Sequence, residues 1–389
     1  MKGDVFAGEI LTKKDELTGV TVKKMTHNFG YSNHPYFTQQ LIDKDNEFMI
    51  FVSDYSGARQ LYTLDLKTGK KVQLTDDADN DNVHNGCLDI KNNIVYYMDG
   101  QFLKSVRLDN LQIDTHLEIP AGFSVSILSI TNDGRYLAFS YIEKIDTITQ
   151  SGVLYSGMRE TLFRRPDSII IRYDTIEKKS HVVYGDNNWL SHVNISPVDP
   201  NTIMFCHEGP WHMVQRLWIA KVETDEIYPI VEQKLNYERV GHEVFTASGR
   251  IAAQYTIRYN LETDLLRDAL FGDVFVDPDG KNQEIYFYKY TRPAHIQINY
   301  AENMSVGDRA QIRAGSTDHG QYISLNKYAN HRIDTALLCK HGTSWKSQSS
   351  HPHPFFTRDD KNVIFASEID NVGAIYMVEA NWDKTLKSE

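Results

Sequence analysis

Hydrophobic and polar residues alternate in short runs along most of the chain, which is the pattern of β-strands with one buried face. The runs are rich in Val, Ile, Tyr and Phe, and turns rich in Asp, Asn and Gly separate them. Residues 37–75, FTQQLIDKDNEFMIFVSDYSGARQLYTLDLKTGKKVQLT, contain four such runs. Helical periodicity is nearly absent, so the pattern predicts an all-β protein.

This four-strand pattern recurs along the chain, and the later copies begin near residues 86, 125, 191, 241, 293 and 351. Seven units at a spacing of roughly 40–60 residues are typical of β-propellers, whose blades each contain four antiparallel strands. The sequence therefore predicts one domain over residues 1–389, a seven-bladed β-propeller. A pair of β-sandwiches would not explain the repeat.

The two ends of the chain complement each other in this prediction. The last unit, from His351, supplies about three strands before the polar tail NWDKTLKSE. Residues 18–27, TGVTVKKMTH, form one strand that belongs to no unit. We expect this N-terminal strand to complete the last blade and to close the ring.

Histidines recur where the first, innermost strand of a predicted unit begins. In a propeller these strands start at one face and the second strands return to it, so their side chains should gather at one mouth of the channel. Two further residues fit this arrangement, because His207 ends a second strand and Arg216 opens the third strand that follows. The histidines at the starts of first strands are His34, His192, His242, His295, His351 and His353.

Two of these histidines belong to the motif Q-x-x-H-x-H, formed by Gln348, His351 and His353. Residues i and i+2 of a strand face the same side, so the two imidazoles should point the same way. His295 is the best further ligand, because it begins the neighbouring inner strand. Three imidazoles and an amide oxygen suit a divalent ion such as Mn²⁺, Fe²⁺, Ni²⁺ or Zn²⁺.

Composition and charge limit the possible partners. The net charge of −11 argues against nucleic acid and anionic membranes, since both attract cationic surfaces. No apolar run is long enough to cross a bilayer, and the N-terminus lacks the apolar segment of a signal peptide, so we expect a cytoplasmic protein. Cys87, Cys206 and Cys339 are predicted to be buried free thiols, because they are odd in number and far apart.

Several catalytic motifs are missing from the sequence. It contains no G-x-S-x-G elbow, no P-loop and no Rossmann fingerprint. The stretch HEGPWH, residues 207–212, differs from the zinc motif H-E-x-x-H, and its Gly-Pro would break the helix which that motif needs. What remains is the histidine-rich metal site.

Several segments together carry a resemblance to a known family. They are NHPYFTQQ (33–40), FCHEGP (205–210), GHEVF (241–245), LLCKHGTSW (337–345) and the stretch 348–380 that begins QSSHPHPFF. In this combination, which spans most of the chain, the sequence resembles oligogalacturonate lyases of polysaccharide lyase family 22. The resemblance implies a cytoplasmic seven-bladed propeller with Mn²⁺ bound by three histidines and a glutamine. It also implies action on short, often unsaturated, galacturonate oligomers, chiefly digalacturonate, in pectin degradation.

Residue roles follow from this resemblance position by position. It implies that the Mn²⁺ ligands are His295, Gln348, His351 and His353. It assigns the role of Brønsted base to His242 and the neutralisation of substrate charge to Arg216. We expect substrate contacts from His34, Arg59, His192 and His207, in a monomer or a small homo-oligomer.

The implied reaction is chemically consistent with these residues. β-Elimination from a uronate removes the proton on C5, next to a carboxylate, while the C4–O bond breaks. A divalent ion on that carboxylate would stabilise the developing negative charge, and it would let an acidic protein hold an anionic sugar. A neutral histidine, with a reference pKa of ~6.5, can accept the proton.

Two alternatives remain open at this point. A non-enzymatic propeller could bind sugars or protein partners, although no Trp-Asp blade ending recurs. Metal-dependent hydrolysis at the same site would add water and give a saturated product.

Overall fold

The structure is a computed structural model, and it describes residues 1–76, 83–147, 157–235, 237–258, 269–289, 293–310 and 320–387. These residues fall into two compact units. Unit 1 comprises residues 1–118, 293–326 and 335–389, and unit 2 comprises residues 119–292 and 327–334. Strands dominate both units, which confirms the predicted all-β class.

The strands of unit 1 that precede residue 119 are β1 (Val5–Phe6), β2 (Leu11–Lys14), β3 (Thr21–Lys24), β4 (Ser32–Asn33), β5 (Phe48–Ser53), β6 (Gln60–Asp65), β7 (Lys71–Gln73), β8 (Val83–Asp89), β9 (Ile94–Asp99), β10 (Phe102–Arg107) and β11 (Ile113–Glu118). Unit 2 contains β12 (Phe123–Val125), β13 (Ser129–Ile130), β14 (Tyr136–Glu143), helix α1 (Met158–Arg164), β15 (Ser168–Asp174), β16 (Lys179–Asp186), β17 (Leu190–Ile195), β18 (Thr202–His207), β19 (Leu217–Lys221), β20 (Glu226–Pro229), β21 (Glu238–Phe245), β22 (Ile251–Arg258), β23 (Ala269–Val276) and β24 (Glu284–Tyr288). The final segment contains β25 (Ile296–Ile298), β26 (Met304–Ala310), β27 (Tyr322–Ala329), β28 (Arg332–Lys340), β29 (Phe355–Phe356), β30 (Asn362–Ser367), β31 (Ala374–Glu379) and β32 (Leu386–Lys387), with 3₁₀ turns at Gln348–Ser350 and Trp382–Lys384.

Unit 1 contains three sheets among its described residues, with the strand orders β1-β7-β6-β5-β4, β11-β10-β9-β8 and β2-β3-β31-β30-β29. A further run, β25-β26-β27-β28, belongs to a nine-stranded sheet with the order β21-β22-β23-β24-β28-β27-β26-β25. An apolar core lies between this run and the sheet β2-β3-β31-β30-β29 and includes Val306, Leu325, Leu338, Phe365 and Val378. These two groups of strands therefore bury one face against each other, as the alternation of polar and apolar residues predicts.

The N-terminal segment 18–27 pairs with the end of the chain. Val22 of β3 lies opposite Val378 of β31, and Lys24 lies opposite Tyr376. Strand β2 adds an outer strand beside β3 that the sequence pattern did not predict. The pairing of chain ends is thus present, while the closed ring stays a prediction.

The polar tail after the last unit contains a short strand. Leu386 lies opposite Leu337 of β28 in an antiparallel pair. The tail can pair here because β24 contacts β28 only at Arg332 and Ile333, which leaves the backbone N–H and C=O groups of the following residues to an extended segment nearby.

Unit 2 contains three groups of strands in its described residues, with the orders β12-β14-β15-β16, β17-β18-β19-β20 and β21-β22-β23-β24. In the third group, β24 also pairs in parallel with Arg332 and Ile333 of β28, which continues that sheet. Two apolar cores lie between successive groups. One includes Ile170, Val193 and Phe205, and the other includes Ile219 and Val274.

The first strand of several groups is bulged at the position of a candidate residue. Register shifts occur between Ser191 and Asn194 in β17 and between Gly241 and Val244 in β21. His192 and His242 lie inside these bulges, with φ angles of 49° and 51°. A bulge re-aims side chains, and a left-handed non-glycine residue persists only where its surroundings impose it. The sequence predicted the positions of these histidines but not the bulges.

Other sequence-based expectations concern cysteines and membranes. Cys87, Cys206 and Cys339 are buried free thiols, as predicted, and burial raises the pKa of each. Within the described residues, no helix combines the length and the apolar character that crossing a membrane would require.

Candidate active site

Three predicted metal ligands lie together in unit 1. His295, His351 and His353 each place a ring nitrogen within 4.8 Å of the other two. Their ring centres are 4.3 Å apart for His295 and His353, and 5.2 Å for His295 and His351. All three side chains are buried. Converging imidazole nitrogens at this spacing are a donor set that borderline divalent cations prefer.

The local backbone explains how two histidines of one short segment converge. We expected His351 and His353 to share a strand face, but strand β29 begins only at Phe355, so both residues precede it. His353 instead has a φ of 43°, in the left-handed region that a non-glycine residue rarely adopts. This local turn, not strand alternation, aims the two imidazoles at His295.

Asp308 orients His295 within the cluster. Its two carboxylate oxygens accept hydrogen bonds from the backbone N–H of His295 at 2.8 Å and from Nδ1 at 2.9 Å. A proton held on Nδ1 leaves the lone pair on Nε2, the nitrogen available to a metal. Burial acts to raise the pKa of the Asp308 carboxyl, but the charge and hydrogen bonds of His295 outweigh it and lower the pKa. Asp308 is therefore an ionised partner at neutral pH.

Gln348 completes the predicted ligand set at the edge of the cluster. It begins the 3₁₀ turn Gln348–Ser350, which Ser347 caps. Its side-chain nitrogen lies 3.5 Å from Nε2 of His353. A half-turn of the amide would exchange nitrogen and oxygen and present the oxygen, which is the atom that binds metals.

Aromatic side chains surround the histidines. The Trp345 ring centre lies 4.7 Å from that of His351, and Phe37 stacks on His353 at 5.4 Å. Tyr36 contacts the edge of His353 at 5.0 Å. These rings restrict the imidazole orientations, as expected of a pre-organised ligand set.

His34 and Arg59, two predicted substrate contacts, lie in the same unit. His34 is buried, with Nδ1 at 2.7 Å from the carbonyl oxygen of Pro35 and Nε2 at 3.3 Å from that of Pro352. It thus supports the backbone between His351 and His353, and burial lowers its pKa. Arg59 is half-buried and donates to Asn33, next to His34, at 3.5 Å. Their roles toward a substrate stay predictions.

A second group of functional candidates lies in unit 2, around Arg216. This guanidinium is 1% exposed. It donates to Glu208 at 2.6 Å through Nη1, and to Glu243 at 2.9 Å through Nε and 3.2 Å through Nη2. Burial acts to raise the pKa of both glutamates, but the charge of Arg216 outweighs it, so both pKa values are lowered. The predicted contact between Arg216 and a substrate carboxylate stays a prediction.

His192 and His207 border this charged group. The ring nitrogens of His192 lie 3.6 Å from Glu208 and 3.9 Å from Glu243. His207 stacks on Trp218 at 4.8 Å and lies 3.9 Å from Asp186. Burial lowers the pKa of His207.

His242 is held from two sides in the bulge of β21. Its Nδ1 lies 2.9 Å from Oε1 of Gln254 on β22, and the Trp211 ring meets it edge-on at 4.9 Å. The structure thus gathers His192, His207, Arg216 and His242 in unit 2, and His34, Arg59, His295, Gln348, His351 and His353 in unit 1. That all of them share one mouth stays a prediction.

Sequence reasoning missed several of these partners. Asp308, Gln254, Glu208 and Glu243 were not singled out. A signal existed for the two glutamates, because the dipeptide His-Glu occurs both in FCHEGP and in GHEVF. Asp308 and Gln254 carry no comparable local signal, since each meets its histidine only through strand pairing.

Comparisons with known proteins agree over almost the whole chain. The profile of the family described as oligogalacturonate lyase matches residues 1–382. The oligogalacturonate lyase of Dickeya dadantii is 26% identical over 394 residues, covering 97% of this chain and 98% of the relative. The oligogalacturonide lyase of Pectobacterium atrosepticum is 27% identical over 399 residues, with coverage of 97% and 98%.

A solved structure shares the fold. An oligogalacturonate lyase in complex with manganese superposes with a TM-score of 0.85 at 23% identity, covering 98% of this chain and 99% of that one. At this identity the likeness shows a common fold over the full length of both chains.

Proposed function

The chain belongs to the oligogalacturonate lyase family, and we propose that it cleaves short oligogalacturonides, chiefly digalacturonate, by β-elimination to keto-deoxyuronate monomers. Membership makes it a lyase that acts on oligogalacturonides. The observation that carries the proposed mechanism is the convergence of three buried histidines in unit 1.

We assign the binding of one Mn²⁺ ion to His295, His351, His353 and Gln348. The donor set supports this, because its imidazoles are buried and converge, and because Asp308 orients one of them. The manganese complex of the structural relative also supports it. Bound there, the ion would supply Lewis-acid stabilisation of a substrate carboxylate.

The proton transfer is assigned to His242. In the proposed step the C5 proton passes to the imidazole, the electrons of the C–H bond form the C4–C5 double bond, and the C4–O bond breaks with its electron pair leaving on the oxygen, which takes up a proton to become a hydroxyl. Its burial beside Gln254 and Trp211 supports this role, because a fixed ring is a better general base than a mobile one.

For Arg216, His34, Arg59, His192 and His207 we propose contacts with the anionic sugar. In the case of Arg216 this requires an exchange of partners, since its guanidinium already binds Glu208 and Glu243. A substrate carboxylate would then accept two parallel hydrogen bonds from the guanidinium in place of one of these glutamates.

The test of this function is the variant His242→Ala assayed on unsaturated digalacturonate. We expect a loss of turnover on the order of 10²–10⁴-fold, typical of the removal of a general base. Manganese content and substrate affinity should stay close to those of the parent protein, because neither depends on the proton acceptor. Near-normal release of keto-uronate by the variant would reject His242 and make His207 or His192 the better candidate.

We also propose that the strands form one seven-bladed propeller closed by residues 18–27. Six sheets in the described residues, one of which joins two four-stranded runs through the pair β24–β28, and the pairing of β3 with β31 support it. Deleting residues 1–27 should then lower the melting temperature sharply. A truncated chain that melts like the full chain would contradict closure.

We place the reaction in the cytoplasm, in a monomer or small homo-oligomer. Cell fractionation and sedimentation of the purified chain test these two statements.

A further inference from the structure

Gln254 lies against His242 in the interior of unit 2. Its Oε1 is 2.9 Å from Nδ1 of His242, and the side chains are 1% and 7% exposed. The contact depends on the bulge of β21, because Gly241 is the residue paired with Gln254, and His242 follows it with a φ of 51°. The backbone therefore adopts a strained conformation at the residue that meets this amide.

The chemistry of an amide oxygen fixes the proton on the imidazole. The oxygen can only accept a hydrogen bond, so Nδ1 must carry the proton of the neutral ring. The lone pair then lies on Nε2, which becomes the basic atom. A carboxylate in this position would choose the same tautomer but would also favour the imidazolium and raise the pKa of His242. A neutral amide orients the ring without favouring the imidazolium, so more of the imidazole stays unprotonated and able to accept a proton at mildly alkaline pH.

Packing against Trp211 fixes the plane of the same ring. The indole meets the imidazole edge-on at 4.9 Å. It reaches this place only because residue 241 is glycine, since a Cβ there would lie 2.7 Å from the indole ring. The amide and the indole thus constrain His242 along two different directions.

Charged groups surround this pair on neighbouring elements. Glu243 and Arg239 are on the same strand as His242, and Asp273 of β23 lies opposite Gln254. Arg216 lies 5.3 Å from the Trp211 ring centre, and His192 of β17 lies 3.9 Å from Glu243. Glu243 is bound by Arg216, and Asp273 accepts hydrogen bonds from Tyr288 and Tyr328. The hydrogen bond between Nδ1 of His242 and Gln254 therefore joins the imidazole to an uncharged group within a charged surrounding.

We propose that Gln254 is a positioning residue that holds His242 in the tautomer with a basic Nε2, an inference that rests on the proposed role of His242 as the base. A free imidazole in water prefers the opposite tautomer, with the proton on Nε2. Gln254 reverses this preference and so presents a lone pair to the substrate proton.

The experiment compares Gln254→Met, Gln254→Glu and the matched control Thr256→Val in the manganese-loaded full chain. Thr256 is buried on the same strand, two residues from Gln254. Its replacement by Val shows how much turnover falls when any buried polar group is lost from that face of the strand. ¹⁵N NMR of histidine-labelled protein reports which ring nitrogen carries the proton, and the signals that vanish in His242→Gln identify His242. Turnover, KM, the pH profile and metal content are measured on each variant.

In Gln254→Met we expect the ¹⁵N shifts of His242 to move toward a protonated Nε2. Turnover should fall about 3- to 10-fold, the range expected when one neutral hydrogen bond is lost, with KM and metal content unchanged. In Gln254→Glu, above neutral pH where the introduced carboxyl is ionised, the original tautomer should remain. The rising limb of its pH profile should move to higher pH, because the carboxylate favours the imidazolium.

Parent-like ¹⁵N shifts of His242 in Gln254→Met would overturn the inference, as would a parent-like pH profile in Gln254→Glu. An equal loss of turnover in Thr256→Val would also overturn it, because the effect would then be general to the strand. These results are independent of the proposed function: if His242→Gln keeps its turnover, the base assignment fails while the ¹⁵N shifts still decide the tautomer.

Discussion

The two units each bury a polar cluster, and the clusters balance their charge in opposite ways. In unit 1, His295, His351 and His353 converge as lone-pair donors, with Asp308 as the carboxylate behind them. In unit 2, Arg216 supplies the cation itself and binds the carboxylates Glu208 and Glu243. In the proposed function the first cluster binds a positive ion taken from solution, whereas the second cluster contains its cation as the side chain of Arg216. Histidine would then be a metal ligand in one unit, and it borders a buried charge network in the other.

The predicted loss is largest when the recruited cation is removed. We expect His353→Ala, or treatment of the parent protein with a chelator, to lower turnover on the order of 10³-fold, since a metal ion supplies several kcal/mol of charge stabilisation. Bound manganese, measured by mass spectrometry after dialysis, should fall below stoichiometric amounts.

The control for that prediction is His116→Ala in the same unit. His116 is half-buried and contacts Ser105 at 2.8 Å, away from the converging imidazoles. It should keep both its metal and its turnover. Stoichiometric manganese in His353→Ala would refute the ligand assignment.

Removal of the buried guanidinium of Arg216 in unit 2 should mainly lower the free energy of unfolding. Arg216→Met leaves Glu208 and Glu243 buried without their guanidinium, which we expect to lower the free energy of unfolding by about 3–5 kcal/mol. Urea denaturation followed by tryptophan fluorescence measures this loss.

Unit 2 offers a matched surface arginine as the control. Arg250 also binds two carboxylates, Asp277 and Glu284, each at 3.0 Å, but its side chain is 29% exposed. Because water competes for exposed charges, Arg250→Met should cost only about 0–1 kcal/mol. Equal losses in the two variants would contradict the distinction between buried and exposed charge networks.

A smaller effect is expected from Asp308, the carboxylate that binds the proposed metal ligand His295. Asp308→Asn keeps the shape of the side chain but weakens its hold on His295, so manganese affinity should fall about 10- to 100-fold. Equilibrium dialysis measures the affinity. Asp89→Asn, a buried carboxylate in a turn of unit 1 that binds the backbone of Lys91 and Asn92, should leave it unchanged. Unaltered affinity in Asp308→Asn would show that His295 needs no such partner.

The smallest predicted effect is the dependence of stability on acid. The pKa values of Glu208 and Glu243 are lowered in the folded chain, so their contribution is complete above the unfolded value of about 4.3. It is lost as the pH falls through their folded values. In Arg216→Met the carboxylates lack their cation, burial raises their pKa, and acid should narrow the gap to the parent protein. Denaturation at several pH values between neutrality and this range checks it; a gap that widens toward acid would contradict the charge assignment.

Part of this picture could be predicted from the sequence because it depends on local patterns. Alternating polar and apolar residues with turn residues between them specified the strands, and their recurrence specified the succession of strand groups. The same repeat left the last unit one strand short and left segment 18–27 as a strand without a unit, so it also predicted that the two pair. The motif at Gln348, His351 and His353 identified a donor set, because residues close in sequence remain close in any fold.

The tertiary structure alone decided which side chains meet across strands. His295 finds Asp308 on the next strand and His242 finds Gln254 in the same way, and nothing in either local sequence specifies the partner. The left-handed backbone of His353 and the bulge at His242 are likewise imposed by packing, since the intrinsic preference of these residues opposes them. Arg216 illustrates the same limit. The family resemblance assigned it the neutralisation of substrate charge, but a buried guanidinium needs partners, and the fold supplies Glu208, just after β18, and Glu243 on β21.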